Sequence, residues 1–130
     1  MNCSLAFVVL AIATGVAQAQ PPKKPSAVPA PVEVMAPADV TRWLAFFDKL
    51  VQAVEVNARS CEKMAADVRT VIDTNRPSIA LARDARKHGK KLPRAAQQRM
   101  LDGVRRMGPG IENCSNNEKV KAAFAKLETE

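Results

Sequence analysis

Between Val40 and Ile72, ten apolar residues recur at alternating spacings of four and three: Val40, Leu44, Phe47, Val51, Val54, Ala58, Cys61, Ala65, Val68 and Ile72. That spacing places all of them on one face of an α-helix, because side chains three and four residues apart stack above one another. A second stripe of Trp43, Leu50, Met64 and Val71 widens the face beyond a two-stranded coiled-coil seam, so the segment needs more than one packing partner. Neither Gly nor Pro interrupts residues 38–75. The pattern therefore predicts one long N-terminal helix over 38–75, roughly 50 Å at about 1.5 Å per residue. It would be the spine of a small all-α bundle of about four helices. Asp39, in its first turn, can cap the helix or complement its dipole.

Punctuation after residue 75 divides the rest. Asn75-Arg76-Pro77 closes the long helix, since the residue before a proline is pushed out of the α region, and Pro77 opens a second helix over about 77–88. His88-Gly89 stops it, and Leu92-Pro93 starts a third whose Met100, Val104 and Met107 run in phase to Ile111 and Cys114. Gly108-Pro109-Gly110 crosses that stretch. An internal proline costs about 3 kcal/mol, which predicts a break or kink there. Ser115 and Glu118 have the spacing of a capping box and predict a last helix carrying Val120, Ala123, Phe124 and Leu127. No internal repeat is legible. Four Phe, one Trp and no Tyr suit packed helices better than strands.

The start of the chain has a different character. Residues 5–17 form an apolar run followed by Ala17-Gln18-Ala19, the pattern of a signal-peptide core with a small-x-small cleavage site. The expectation is a signal peptide over 1–19 and a mature chain that starts at Gln20 and resides in the periplasm or outside the cell. With no Lys or Arg before the run and Lys23-Lys24 after it, the charge asymmetry is reversed, which leaves a retained anchor as the alternative. Once the signal is cleaved, no transmembrane helix is expected. Six prolines from Gln20 through Pro37, five of them within 20–36, make 20–36 an extended, solvated spacer, ahead of a helical domain over 37–130.

In an oxidising compartment the two mature cysteines are expected to pair, Cys61 on the seam of the first helix and Cys114 in phase with the third. Neither stands in a C-x-x-C, so redox and zinc chemistry have no support. His88, the only histidine, lies among Arg86, Lys87, Lys90 and Lys91 beside Gly89 and reads as a surface residue. With no C-x-x-C-H and the Met residues on core stripes, haem is not expected, nor is any other cofactor or metal. No nucleophile with its base, paired carboxylates or Gly-rich phosphate loop is present, so the chain is not expected to be an enzyme.

One feature stands out. Nine Lys or Arg lie between Arg83 and Arg106 against Asp84 and Asp102, in a chain of net charge +7. The candidate anion-binding residues are Arg83, Arg86, Lys87, Lys90, Lys91 and Arg94, grouped about the turn between the second and third helices. A solubilising face is the bland alternative. Anionic lipid, acidic polysaccharide or an envelope protein are the partners such a cluster fits. Nucleic acid is not expected, because no aromatic side chain interleaves the bases. The expected protein is a monomer or weak dimer that binds anionic components through the basic turn. The alternative is a chaperone-like holdase that takes unfolded clients on an apolar face.

Overall fold

The computed structural model describes residues 33–129. The expected signal peptide, its cleavage site and the spacer as far as Val32 lie outside the described residues. Five helices follow: α1 (Pro37–Val56), α2 (Cys61–Thr74), α3 (Arg76–Lys87), α4 (Arg94–Cys114) and α5 (Glu118–Thr129). Apart from one isolated parallel bridge between Val34 and Lys91, no β-structure occurs among the described residues. The all-α class is as expected, with one helix more.

The additional helix comes from the long seam, which the structure cuts in two at residues 57–60. No Gly or Pro makes the cut. Asn57 takes a non-helical conformation, and its side-chain amide donates to the Ala53 carbonyl at 2.8 Å and to Asp67 Oδ2 at 2.7 Å. Asn favours such local bonds over continuing a helix. Here it is the one buried polar residue among those described, so the turn is internally satisfied. The seam's phase survives because both halves face the same core. Val51, Val54, Met64, Val68 and Ile72 are almost wholly buried in one cluster, which a single rod could not form by itself.

The third helix departs from expectation in the opposite sense, since α4 runs unbroken through Pro109. Gly108, immediately before the proline, has no Cβ to meet the pyrrolidine ring, which removes part of the usual penalty. Pro109 also lies on the exposed side. The expected line of Met100, Val104, Met107, Ile111 and Cys114 is met in part: Met107 and Cys114 are buried and Met100 packs against the core. Val104 and Ile111, however, are 53% and 37% exposed, and Gly103 and Gly110 face inward in their place. A Cβ on Gly103 would lie 2.5 Å from Phe47 Cε1, and one on Gly110 would lie 2.9 Å from Val54 Cγ1 and 3.0 Å from the Val54 carbonyl oxygen. The glycines let α4 approach α1 at backbone distance.

Contacts between α1 and α4 rise together in residue number: Asp48 with Arg99, Glu55 with Arg106, Phe47 with Gly103, Val54 with Gly110. The two helices therefore run side by side in the same direction. So do α2 and α5, where Lys119 meets Glu62 at 2.9 Å and Lys126 meets Asp73 at 2.7 Å. The chain thus makes a helix–turn–helix unit twice, with α3 as the crossover, although no repeat is legible in the sequence. In this register Asn57 matches Asn113, and Glu62-Lys63 matches Glu118-Lys119. The disulfide between Cys61 and Cys114, with Cα atoms 5.4 Å apart, joins the beginning of α2 to the end of α4. It pins the two turns together. At the second turn the cap is Asn117, whose Oδ1 accepts from the Lys119 and Val120 amides at 3.0 Å each, and the expected Ser115–Glu118 box does not form. Ser115 donates instead to the Glu112 carbonyl.

Candidate functional site: the basic turn and the groove beside it

α3 ends at Lys87, and Gly89, with φ of 70°, reverses the chain in a conformation that side chains with a Cβ adopt only rarely. Lys90 and Lys91 form the connection. Lys91 is held by its backbone: its amide donates to the Glu33 carbonyl and its own carbonyl accepts from the Met35 amide, each at 2.9 Å. Met35, which composition assigns to the spacer, is buried there with Val40, Ala85 and Ala96, while Leu92 packs against them. The short segment before α1 therefore straps the turn to the helices and fixes where its cations project.

The six candidates are not equivalent in the structure. Arg83 donates to the Leu127 carbonyl near the end of α5, and Lys90 lies 3.7 Å from Glu33. Arg86, Lys87, Lys91 and Arg94 are exposed, and their side chains make no ion pair or hydrogen bond among the described residues. Arg86 and Lys87 occupy the last turn of α3, where cations complement the helix dipole. Arg94 does the reverse. It is the first residue of α4, whose first turn carries no acidic residue, so it adds its charge to the positive end of that helix. His88 is exposed, with Nδ1 2.8 Å from the Asp84 carbonyl.

The rest of the basic segment is tied up. Arg99 pairs with Asp48, Arg105 with Asp102 at 3.2 Å, and Arg106 forms a two-pronged pair with Glu55 at 2.9 and 2.7 Å. The Arg106 hydrogen bond holds the Glu55 carboxyl below the usual carboxylate range, and the same contact raises the guanidinium. Hydrogen bonds from Lys126 and Arg76 lower Asp73 in the same way. Within the segment from Arg83 to Arg106, these pairs and the contacts of Arg83 and Lys90 leave Arg86, Lys87, Lys91 and Arg94, about the turn, as the cations with no partner among the described residues. Sequence proximity alone groups Arg99, Arg105 and Arg106 with the turn.

Beside the turn lies a groove of about 280 Å³, floored by Trp43, Ala82, Leu92 and Met100 and rimmed by Arg86, Lys90 and Lys91. Trp43, Ala82 and Arg86 also line a second groove of about 280 Å³, which is closed by Ile79, Arg83 and Leu127. Trp43 and Met100 lie on apolar stripes that periodicity assigns to the core, and no sequence signal marks the groove. Trp43 donates through Nε1 to Met100 Sδ at 3.2 Å, and its ring packs 5.3 Å from that of Phe46, so the indole is held with one part in the core and another facing the groove. Among the described residues no three His, Cys, Asp or Glu lie close enough to hold a metal ion, and no helix is long and apolar enough to cross a membrane. No protein-family model, curated protein or solved structure matches the chain.

Proposed function

We propose that this chain is a non-enzymatic binding protein, exported and cut after Ala19, that contacts anionic components of the cell envelope or its exterior through the turn between α3 and α4. The observation that carries the reading is the separation of charge. Arg99, Arg105 and Arg106 are paired with carboxylates, while Arg86, Lys87, Lys91 and Arg94 project unpaired among the described residues around one strapped turn. Clustered cations of this kind attract anionic surfaces by about 1 kcal/mol per basic residue near the membrane, within a Debye length of roughly 8 Å at physiological salt. The disulfide supports export, because such crosslinks persist in oxidising compartments. The intact mass of protein recovered outside the cytoplasm tests the cleavage and should correspond to a chain that starts at Gln20.

Co-sedimentation with vesicles tests the binding. Vesicles containing phosphatidylglycerol should retain the protein at low salt and release it as salt rises, and phosphatidylcholine vesicles should not retain it. Changing Arg86, Lys87, Lys91 and Arg94 together to Gln should remove most of the binding at unchanged melting temperature. Equal retention of wild type and variant would refute the reading. A second reading, a holdase for unfolded clients, is favoured by one observation: Leu101, Val104 and Ile111 are 53%, 53% and 37% exposed along one side of α4. Salt-independent suppression of client aggregation, lost on changing all three to Ser, would support it.

A further inference from the structure

We propose that the groove beneath the basic turn binds a single-chain anionic amphiphile, a long-chain carboxylate, with its hydrocarbon along Trp43 and its head among Arg86, Lys90 and Lys91. The inference rests on the basic turn as an anion-contacting surface and adds the class of ligand.

α3 and α4 both lean on the first part of the fold, yet the residues α3 turns toward α4 are Ala82 and Ala85, too small to fill the space between them. A cleft remains, lined by Trp43 from α1, Met100 from α4 and Leu92 from the connection. Two donors that face the cleft already have acceptors within the protein. Trp43 Nε1 donates to Met100 Sδ at 3.2 Å, and Gln97 Nε2 donates to the Leu92 carbonyl at 2.7 Å. A ligand entering the cleft meets mostly carbon, and a polar one would give up water for few partners. A hydrocarbon chain loses nothing there.

The mouth has the opposite character. Arg86, Lys90 and Lys91 stand on its rim, and the carboxylate closest to them is Glu33, 3.7 Å from Lys90 on the exposed surface. A ligand carboxylate can compete with Glu33 for Lys90 and meet Arg86 and Lys91, which have no acidic partner among the described residues. The adjoining groove shares Trp43, Ala82 and Arg86 and extends the apolar track toward Leu127. Together the two reach the size range of small-molecule sites, roughly 300–1,000 Å³. An apolar track with a cationic mouth fits an acyl chain with an anionic head and disfavours the same chain with a cationic head.

Trp43 is the only tryptophan in the chain, so its emission reports on the groove directly. Below its micelle concentration, laurate added to the purified protein should change Trp43 emission saturably, and acetate and dodecyltrimethylammonium should not. A fully buried methylene strengthens binding about fourfold, and a half-exposed one about twofold. Laurate should therefore bind about 15-fold more tightly than octanoate. Ala82→Phe fills the cleft from a half-buried position outside the core. It should weaken laurate at least tenfold at unchanged melting temperature while retaining binding to phosphatidylglycerol vesicles. Arg86→Gln with Lys90→Gln and Lys91→Gln should weaken both. Equal affinity for octanoate and laurate, or equal response to the cationic detergent, overturns the proposal even if Ala82→Phe does not fold. Vesicle binding with no response of Trp43 to laurate overturns it while leaving the basic-turn reading intact, and the absence of both kinds of binding overturns the two together.

Discussion

Replacing Gly110 with Ala sets two effects of known size against each other. Inside a helix Ala is favoured over Gly by about 1 kcal/mol, so on propensity alone the change should stabilise the protein. The new methyl, however, would lie 2.9 Å from Val54 Cγ1, 3.0 Å from the Val54 carbonyl oxygen and 3.1 Å from Met64 Cε. The methionine end can move, but the carbonyl belongs to the backbone of α1, so relief requires α4 to shift away from α1 along the whole contact. Overpacking of this kind costs about 1–3 kcal/mol. The net expectation is a loss of up to about 2 kcal/mol, with the overpacking cost exceeding the propensity gain. At roughly 4–8 °C per kcal/mol for a domain of this size, thermal unfolding followed by circular dichroism should show a fall of up to about 15 °C with the disulfide intact. Val54→Ala removes Cγ1 and leaves a cavity the new methyl can enter, so the double variant should show a coupling energy of about 1 kcal/mol in favour of the pair. A rise in melting temperature for Gly110→Ala would refute the close approach of α4 to α1.

Three further perturbations test other parts of the fold. Asn57→Ala leaves the Asp67 carboxylate and the Ala53 carbonyl without their partner, and urea unfolding should show a loss of about 1–3 kcal/mol. Cys61→Ser or Cys114→Ser opens the crosslink and should lower stability by on the order of 4 kcal/mol in the chain-entropy account, and non-reducing peptide mapping of the parent should recover the two cysteines in one linked species. Glu55 and Asp73 titrate below their ordinary values because Arg106, and Lys126 with Arg76, favour the charged forms. Their contribution is therefore present above the usual carboxylate range and is lost as pH falls through it toward the depressed values. Glu55→Gln should flatten the acid limb of melting temperature against pH, and an unchanged limb would count against the pair.

Periodicity was enough to determine the all-α class and a core that includes Val51, Val54, Val68 and Ile72, because those apolar residues have only one way to share a face, and Pro77 and Pro93 were enough to place the helix boundaries near residues 76 and 94. Two cysteines on buried stripes, taken with the expectation of export, led to the pairing of Cys61 with Cys114. The division of the long seam was not legible, since a four-and-three spacing is satisfied equally by a continuous rod and by two helices that fold back on one core. Only the bonds from the buried Asn57 amide decide between them. The inward face of α4 was misread for a related reason. Hydropathy scores Val104 and Ile111 as core and glycine as neither, whereas contact with α1 needs the absence of a side chain at Gly103 and Gly110. At the basic turn the charged residues could be counted from the sequence, but their availability could not. That depends on which carboxylates α1 places opposite Arg99 and Arg106, and on a groove that exists only because Ala82 and Ala85 leave space above Trp43. Charge and periodicity are properties of residues along the chain, whereas pairing and void space belong to residues brought together from distant parts of it.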